Sequence, residues 1–245
     1  MSDDINLEKN SARSVTDVAG IYKDGTYLKN NATWHVGDSP WKARHIATIL
    51  KKNGLNPSSV CEVGCGAGEI LKQLSNASPN INFVGYELSP QAFELCKNRE
   101  SEKVSYRLKN IFDENVFYDC LLCIDVFEHV EDYMGFIKAL KPKANYKIFH
   151  IPLDVSVFSI LRNSMMNSRK NVGHLHYFTR ETALATLVDC GYEIIEGFYT
   201  KALDDFPSKT LKAKMMKLPR KILYTISPHW AARLSGGYSY LVLTK

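Results

Sequence analysis

Three glycines at alternate positions after a strand-like run form the most informative segment of the sequence. An apolar run that contains Glu62 is followed by Gly64, Gly66 and Gly68, and then by a helix-forming stretch. Glycines let the backbone turn tightly and approach a ligand closely, and the helix start that follows offers free N–H groups. Dinucleotide folds use the spacing G-x-G-x-x-G, which would require glycine where Glu69 stands. The segment predicts a cofactor loop, with Glu62 placed for a cationic group rather than for a pyrophosphate.

A second acidic residue, Glu87, ends the next strand-like run, roughly 20 residues beyond the glycine loop. In nucleotide-binding α/β folds, an acid at this place accepts hydrogen bonds from the two hydroxyls of a ribose. A simpler role is that Glu87 favours the start of the helix near Pro90, because acids stabilise helix N-termini. The neighbouring glycine loop favours the ribose interpretation.

Carboxylates and histidines follow a later strand-like run. Asp125, Glu128 and His129 lie at its end, and His174 and His176 lie in a loop further along the chain. Histidine titrates near neutral pH, so His129 and His174 are candidate general bases toward a hydroxyl substrate. The alternatives are packing for His129 and a loop hydrogen bond for His174. The set can also bind a divalent ion. Only one histidine adjoins the carboxylates, so no metal ion is predicted.

Composition and charge are those of an ordinary globular protein. The chain has 245 residues, 45% hydrophobic and 23% charged, enough for one domain with a full core. No apolar run approaches the roughly 20 residues that span a bilayer, and the polar start is unlike a secretory signal. We therefore expect a cytoplasmic protein without an integral membrane span. The net charge of +5 is compatible with an anionic substrate but identifies none.

Two of the six cysteines, Cys120 and Cys123, form a C-x-x-C pair that could bind metal or carry redox chemistry. They lie in a strand-like run, where residues three apart point to opposite faces and cannot bind one ion. We expect both to be buried thiols. His150, in the next strand-like run, is expected to be a core residue with its polar atoms satisfied.

Strand-like and helical patterns alternate along most of the chain. This alternation predicts an α/β fold with a seven-stranded, Rossmann-like, doubly wound and mostly parallel sheet. Ligands bind such sheets outside the carboxyl ends of the strands, where the residues above lie. The predicted strands are Ser59–Val63, Asn82–Tyr86, Val104–Leu108, Tyr118–Asp125, Tyr146–Ile151, Tyr192–Tyr199 and Tyr238–Leu243.

A basic segment, residues 202–236, interrupts the alternation before the last strand. No acidic residue lies between Ser208 and Lys221, and a partial apolar stripe accompanies the charges. The favoured interpretation is a solvated helical insertion that covers the sheet edge, because charged runs usually mark exposed faces. The alternative is a helix for a membrane surface or an anionic substrate. The cations are Lys209, Lys212, Lys214, Lys217, Arg220 and Lys221, and the stripe is Leu211, Met215, Leu218 and Leu223.

The glycine loop resembles the first motif of the class I S-adenosylmethionine (SAM) dependent methyltransferases, an acidic residue followed by G-x-G-x-G. The segment Asp125–Val130 is similar to the D-x-x-E-H-V element of many small-molecule and quinone-type O-methyltransferases. The resemblance covers roughly residues 40–200 and the final strand. It implies a SAM-binding domain of residues 38–201 and 237–245, the insertion 202–236, and an N-terminal extension, residues 1–37. That extension, which contains Trp34 and His35, often covers the cofactor or substrate as a lid in this family.

The resemblance also implies SAM as the cofactor and a role for individual residues. Glu87 matches the acid that binds ribose, and Lys109–Phe112 matches the loop that contacts adenine, with Asn110 in place of the commoner Asp. His129 and His174 are the implied catalytic residues. Some relatives with an acid-x-x-Glu-His pattern bind a divalent ion. The implied cofactor-binding residues are Glu62, Gly64, Cys65, Gly66, Gly68, Glu87, Leu88, Asn110, Ile111 and Asp125.

The implied reaction is in-line transfer of the SAM methyl group to a small-molecule acceptor, sugar-derived or quinone-like, at a hydroxyl oxygen. The chain lacks the (Asp/Asn)-Pro-Pro-aromatic motif of enzymes that methylate amino groups of DNA, so nucleic acid is not the expected partner. A homodimer stays open. So do a metal-assisted methyltransferase of RNA ends, a catalytically silent SAM-binding partner protein, and a nicotinamide-dependent oxidoreductase, which the position of the third glycine disfavours.

Overall fold

The computed structural model describes Trp34, residues 36–207 and residues 211–245, without the side chains of residues 212 and 213. Most of the predicted N-terminal lid, including His35, lies outside the described residues, as does Lys209 of the basic segment. The division of the chain into lid, domain and insertion therefore stays a prediction.

The seven predicted strands are all present, with ends that differ by a few residues. They are β1 (Ser59–Val63), β2 (Asn82–Glu87), β3 (Val104–Leu108), β4 (Tyr118–Ile124), β5 (Ala144–Leu153), β6 (Ile194–Thr200) and β7 (Tyr238–Thr244). They form one sheet in the order β3-β2-β1-β4-β5-β7-β6. The pairs among β1 to β5 are parallel, and β7 runs antiparallel to both β5 and β6. The carboxyl ends of β1, β2, β4 and β5 therefore meet at one edge of the sheet.

Helices connect the strands and cover both faces. They are α1 (Ser39–Lys52), α2 (Glu69–Ala77), α3 (Pro90–Cys96), α4 (Tyr133–Leu140), α5 (Val157–Leu161), α6 (Ser164–Asn171), α7 (Arg180–Asp189), α8 (Ala202–Asp205), α9 (Leu211–Ile226) and α10 (Pro228–Ser235). Thr179 caps the start of α7, where its hydroxyl accepts the N–H of Thr182. Among the described helices, none is long and apolar enough to cross a membrane.

Strand β4 shows how the sheet separates two layers of core. Its residues alternate between two buried clusters, with Cys120 in one and Cys123 in the other. Both are free, buried thiols. Their side chains face opposite layers because successive residues of a strand point to opposite faces. The prediction that both cysteines are buried thiols on opposite faces of a strand is therefore confirmed.

Candidate cofactor and catalytic site

The glycine loop connects β1 to α2 by a backbone path that favours glycine. Gly64, Gly66 and Gly68 have φ angles of +68°, +56° and +76°. These lie in the left-handed region, where a Cβ atom clashes with the backbone. The N–H groups of Gly64 and Cys65 both donate to the carbonyl of Tyr86, at 2.8 and 3.1 Å. The loop is thus tied to the end of β2.

The three glycines of the loop differ in how closely other side chains pack against them. A Cβ on Gly64 would lie 2.9 Å from the side chain of Val126, and one on Gly68 would overlap the ring of Tyr106. Among the described residues, a Cβ on Gly66 would have one neighbour within 4 Å, a ring carbon of Trp34 at 3.8 Å. Gly66 is therefore the least crowded of the three glycines.

Glu87, at the end of β2, holds the loop through its side chain. Oε2 accepts the N–H of Gly66 at 2.8 Å, and Oε1 accepts the N–H groups of Leu88 and Ser89, each at 2.8 Å. Burial raises the pKa of the carboxyl, and these three N–H groups oppose the rise. Glu87 therefore fixes the loop in addition to offering oxygens to a ligand.

Glu62, on β1, is a second buried carboxylate next to the loop. Only 2% of its surface is exposed, and no described residue forms a hydrogen bond with its Oε2. Burial raises its pKa well above the usual value, opposed by Lys42 and reinforced by Glu87 and Asp125. A buried acceptor without a partner is costly, so a ligand that carries a cationic donor would be stabilised here.

Asp125 belongs to an ion-pair network at the end of β4. One carboxylate oxygen lies 2.8 Å from Nζ of Lys42, and the other lies 2.6 Å from Nδ1 of His150. Burial disfavours the charge, yet His150 and Lys42 hold the pKa of Asp125 well below its usual range. Nε2 of His150 lies 2.8 Å from the hydroxyl of Thr200. His150 is thus a buried residue with both ring nitrogens paired, as predicted.

Three predicted cofactor residues remain: Asn110 and Ile111 lie in the loop after β3, and Leu88 follows the end of β2. Asn110 accepts the N–H of Phe112 at 3.1 Å and so begins a short 3-10 turn. Ile111 is buried in the core. Leu88 is 59% exposed. The adenine contact predicted for this loop stays a prediction.

Glu128, His129 and His174 come together beyond the ends of β4 and β5. One potential ligand atom from each residue lies within 4.8 Å of the other two. The rings of His129 and His174 meet at 4.9 Å with an interplanar angle of 73°. Glu128 is fully buried, and neither of its carboxylate oxygens has a hydrogen-bond partner among the described residues. The arrangement is that of a small set of metal ligands or of a base with its partners.

Long-range contacts position this cluster. The N–H groups of Leu175 and His176 donate to the carbonyl of Glu128, at 2.8 and 3.1 Å, which fixes the His174 loop against the turn after β4. Nδ1 of His174 pairs with the carboxylate of Asp154, just after β5. Nε2 of His176 instead faces the backbone carbonyl of Val130 at 2.9 Å. His174, rather than His176, is therefore the histidine that joins the cluster.

His129 is a weak base in this environment. Burial, together with the charge of His174, lowers the pKa of His129 to about 4. The imidazole is therefore neutral at pH 7, but it holds a proton poorly. A neutral imidazole is the form that coordinates a metal ion.

Sequence reasoning missed two residues of the site, Lys42 and Asp154. Lys42 is buried in α1 and pairs with Asp38, at 3.1 Å, as well as with Asp125. Despite burial, the two carboxylates raise its pKa, so it stays charged. The only local signal is that Lys42 follows Asp38 by four residues in a helix. Asp154 carries no local signal, because its partner His174 lies 20 residues away.

The sheet order and the glycine loop are those of the class I SAM-dependent methyltransferases, whose cofactor is SAM. A family model described as a methyltransferase domain matches residues 41–196. This match covers more than half of the chain, and the protein belongs to that methyltransferase family.

Individual relatives are more distant. The ubiquinone biosynthesis O-methyltransferase of Actinobacillus pleuropneumoniae is 26% identical over 133 residues, which make up 47% of this chain and 56% of that protein. The protein of the same name from Rickettsia bellii is 30% identical over 115 residues, or 43% and 48% of the two chains. The chain thus spans about half the length of the curated relatives it matches.

Among solved structures, magnesium protoporphyrin IX methyltransferase of Synechocystis PCC 6803, with bound S-adenosylhomocysteine (SAH), is similar in fold. It aligns with a TM-score of 0.62 at 14% identity, over 92% of this chain and 98% of that one. At this identity the likeness concerns the fold, and it agrees with the predicted Rossmann-like class.

Proposed function

We propose that the protein transfers the methyl group of SAM to a hydroxyl oxygen of a small-molecule acceptor. The observation that carries this proposal is one juxtaposition: the glycine loop tied to Glu87 and the cluster of Glu128, His129 and His174 lie at the same edge of the sheet. One part suits a nucleoside cofactor and the other suits activation of an acceptor.

The residues present fit SAM. Gly66, the least crowded glycine of the loop, would let the cofactor approach the backbone, and Glu87 keeps lone pairs for the ribose hydroxyls next to it. The unpartnered oxygen of Glu62 suits the α-ammonium group of the methionine part. Asn110 lies in the loop after β3, and its amide group would be able to hydrogen-bond the adenine of the cofactor. Cofactor binding by these residues would account for two features: the buried Oε2 of Glu62, which has no hydrogen-bond partner among the described residues, and the uncrowded Gly66.

The chemistry asks little of the protein beyond alignment. SAM supplies an activated methyl group on sulfur, and the leaving group is a neutral thioether. The protein must hold the acceptor oxygen in line with the methyl carbon and exclude water. A hydroxyl acceptor also has to lose its proton, and a base with a pKa of about 4, such as His129, accepts few protons from it.

A divalent cation would help the acceptor hydroxyl to lose its proton, and the side chains near His129 are suitable ligands for one. Glu128, His129 and His174 offer one carboxylate and two imidazoles, and the buried Glu128 carboxylate has no other described partner. Mn²⁺, Fe²⁺, Co²⁺ and Zn²⁺ suit such mixed ligands better than Mg²⁺ or Ca²⁺, which prefer oxygen. Held by these three residues, a cation would lower the pKa of an acceptor hydroxyl and help to orient it. The metal-free catalytic role that the sequence predicted for His129 and His174 stays a prediction beside this proposal.

The choice of oxygen and of a small molecule is supported by the relatives from Actinobacillus pleuropneumoniae and Rickettsia bellii, which are O-methyltransferases of ubiquinone biosynthesis by name. We therefore expect a phenolic, quinone-type hydroxyl as acceptor. Methyl transfer to RNA ends is the competing function, since a cation cluster of this kind would serve it equally well.

An acceptor panel tests the proposal. The protein is incubated with SAM, Mn²⁺ and one acceptor at a time: a catechol, the matching aminophenol blocked at oxygen, or a short RNA. SAH release and product mass are measured. We expect transfer to the catechol oxygen at a rate at least about a hundredfold above the nitrogen acceptor and the RNA, because the cation activates the hydroxyl. Faster turnover of RNA or of nitrogen, or SAM binding without transfer to any acceptor, would contradict the proposal.

A further inference from the structure

The C-terminal part of the chain carries an unusual charge distribution. Residues 206–245 contain eight lysines and arginines and no aspartate or glutamate, so their charge exceeds the net +5 of the whole chain. The rest of the chain is net acidic. This asymmetry coincides with helices α9 and α10, between β6 and β7.

Helix α9 presents a continuous apolar stripe to solvent. Five residues at spacings of four, three, four and four lie along one side of the helix. Each has between 54% and 76% of its surface exposed. We call this set the outer stripe; it consists of Leu211, Met215, Leu218, Ile222 and Ile226.

The opposite side of α9 anchors the helix to the protein. Arg220 is buried, pairs with Asp204 at 2.9 Å and lies over the ring of Tyr238. Tyr224 stacks on Tyr238 with ring centroids 5.5 Å apart, and Leu223 packs against the core. An amphipathic helix normally turns its apolar side inward. Here Leu223, Tyr224 and the Arg220–Asp204 pair already hold the inner side, and the outer stripe forms a second apolar side that faces solvent. Packing of the helix on the core therefore does not explain the outer stripe.

Cations flank the outer stripe. Lys214 and Lys221 are exposed on α9, whereas Lys217 turns inward to the carbonyls of residues 204 and 206. The next helix, α10, adds Trp230, half of whose surface is exposed, and Arg233 near its ring. Arg233 also pairs with Glu181 of α7 at 3.5 Å, so Lys214 and Lys221 are the cations that flank the outer stripe on α9 itself. Apolar side chains with an aromatic and flanking cations are the pattern of a helix that lies in a membrane interface.

We propose that α9 docks on the surface of an anionic membrane, with the outer stripe among the acyl chains and Lys214 and Lys221 against the headgroups. Charge complementarity selects this partner: residues 206–245 carry cations and no acid of their own, which suits a uniformly negative sheet of phospholipid headgroups. The favoured sequence interpretation, a solvated helix, does not account for the outer stripe. The inference is independent of the acceptor and of the cation at Glu128.

Vesicle binding tests the inference. The full chain is mixed with vesicles of phosphatidylcholine alone or with phosphatidylglycerol added, and bound protein is measured by flotation. Wild type should bind the anionic vesicles and not the neutral ones. Leu218→Gln with Ile222→Gln should weaken binding about tenfold for each residue, and Lys214→Gln with Lys221→Gln about fivefold for each.

Matched controls exclude general loss of structure. Val188→Gln removes an equally exposed apolar residue from α7, and Lys51→Gln removes an exposed cation from α1; both should bind vesicles like wild type. All variants should bind SAM with unchanged affinity. Equal binding to neutral and anionic vesicles, no binding by wild type, or variants that bind like wild type would overturn the proposal. Self-association that depends on Leu218 and Ile222, without vesicle binding, would assign the outer stripe to a second copy instead.

Discussion

Replacing Glu87 by glutamine should weaken SAM binding by about a hundredfold. The carboxylate accepts three backbone N–H groups, and an amide nitrogen in place of one oxygen turns an acceptor into a donor. At least one N–H of the loop is then left without its partner, and a ribose hydroxyl loses a charged acceptor. Together these losses are worth about 3 kcal/mol, or a factor of about 100 in affinity.

Calorimetric titration of Glu87→Gln with SAM measures this effect. Glu94→Gln is the matched control, because Glu94 is an exposed acid of the adjoining helix α3 and should keep wild-type affinity. Thermal unfolding of both variants separates a weakened site from a weakened fold. Wild-type affinity in a folded Glu87→Gln protein would show that this carboxylate does not bind the cofactor.

Replacing Glu128 by glutamine should lower both Mn²⁺ affinity and methyl transfer by at least about a hundredfold, while SAM affinity stays unchanged. The glutamine side chain is nearly the same size, but it removes the anionic ligand from the set with His129 and His174. Manganese binding is followed by its electron paramagnetic resonance signal, which reports the site without turnover. The control is Glu131→Gln, an exposed acid three residues further on.

The alternative role of the histidines predicts a different pattern. If His129 acts as a general base without a cation, a chelator leaves the activity intact and Glu128→Gln binds as little Mn²⁺ as wild type. If the cluster holds a cation, a chelator abolishes transfer and Mn²⁺ restores it. Full activity after chelation would therefore contradict the role assigned to Glu128.

Much of the fold could be predicted because its signals are local. The glycine spacing at Gly64–Gly68 and the apolar run of β4 are properties of a few consecutive residues. The cap at Thr179 is equally local. Lys42 and Asp154 could not be found this way, because their significance comes from partners far along the chain, Asp125 and His174.

The orientation of helix α9 on the protein also could not be predicted from the sequence. The partial stripe predicted from sequence joined Leu223 to Leu211, Met215 and Leu218, yet Leu223 packs inward and Ile222 lies on the outer side instead. Periodicity indicates that a helix has two unlike sides. Which side faces the protein depends on anchors such as Arg220 and its partner Asp204, which the pattern of one helix does not contain.

The assignment of SAM to the glycine loop is tested most directly by calorimetric titration of the protein with SAM and SAH, beside the Gly66→Arg variant and an NAD control. Gly66 has a φ of +56°, so an arginine there is strained, and its side chain would fill the place proposed for the cofactor. We expect SAM and SAH to bind the wild type with micromolar affinity and not to bind Gly66→Arg, and we expect NAD to bind neither protein. Binding of NAD, or SAM binding that survives Gly66→Arg, would contradict it.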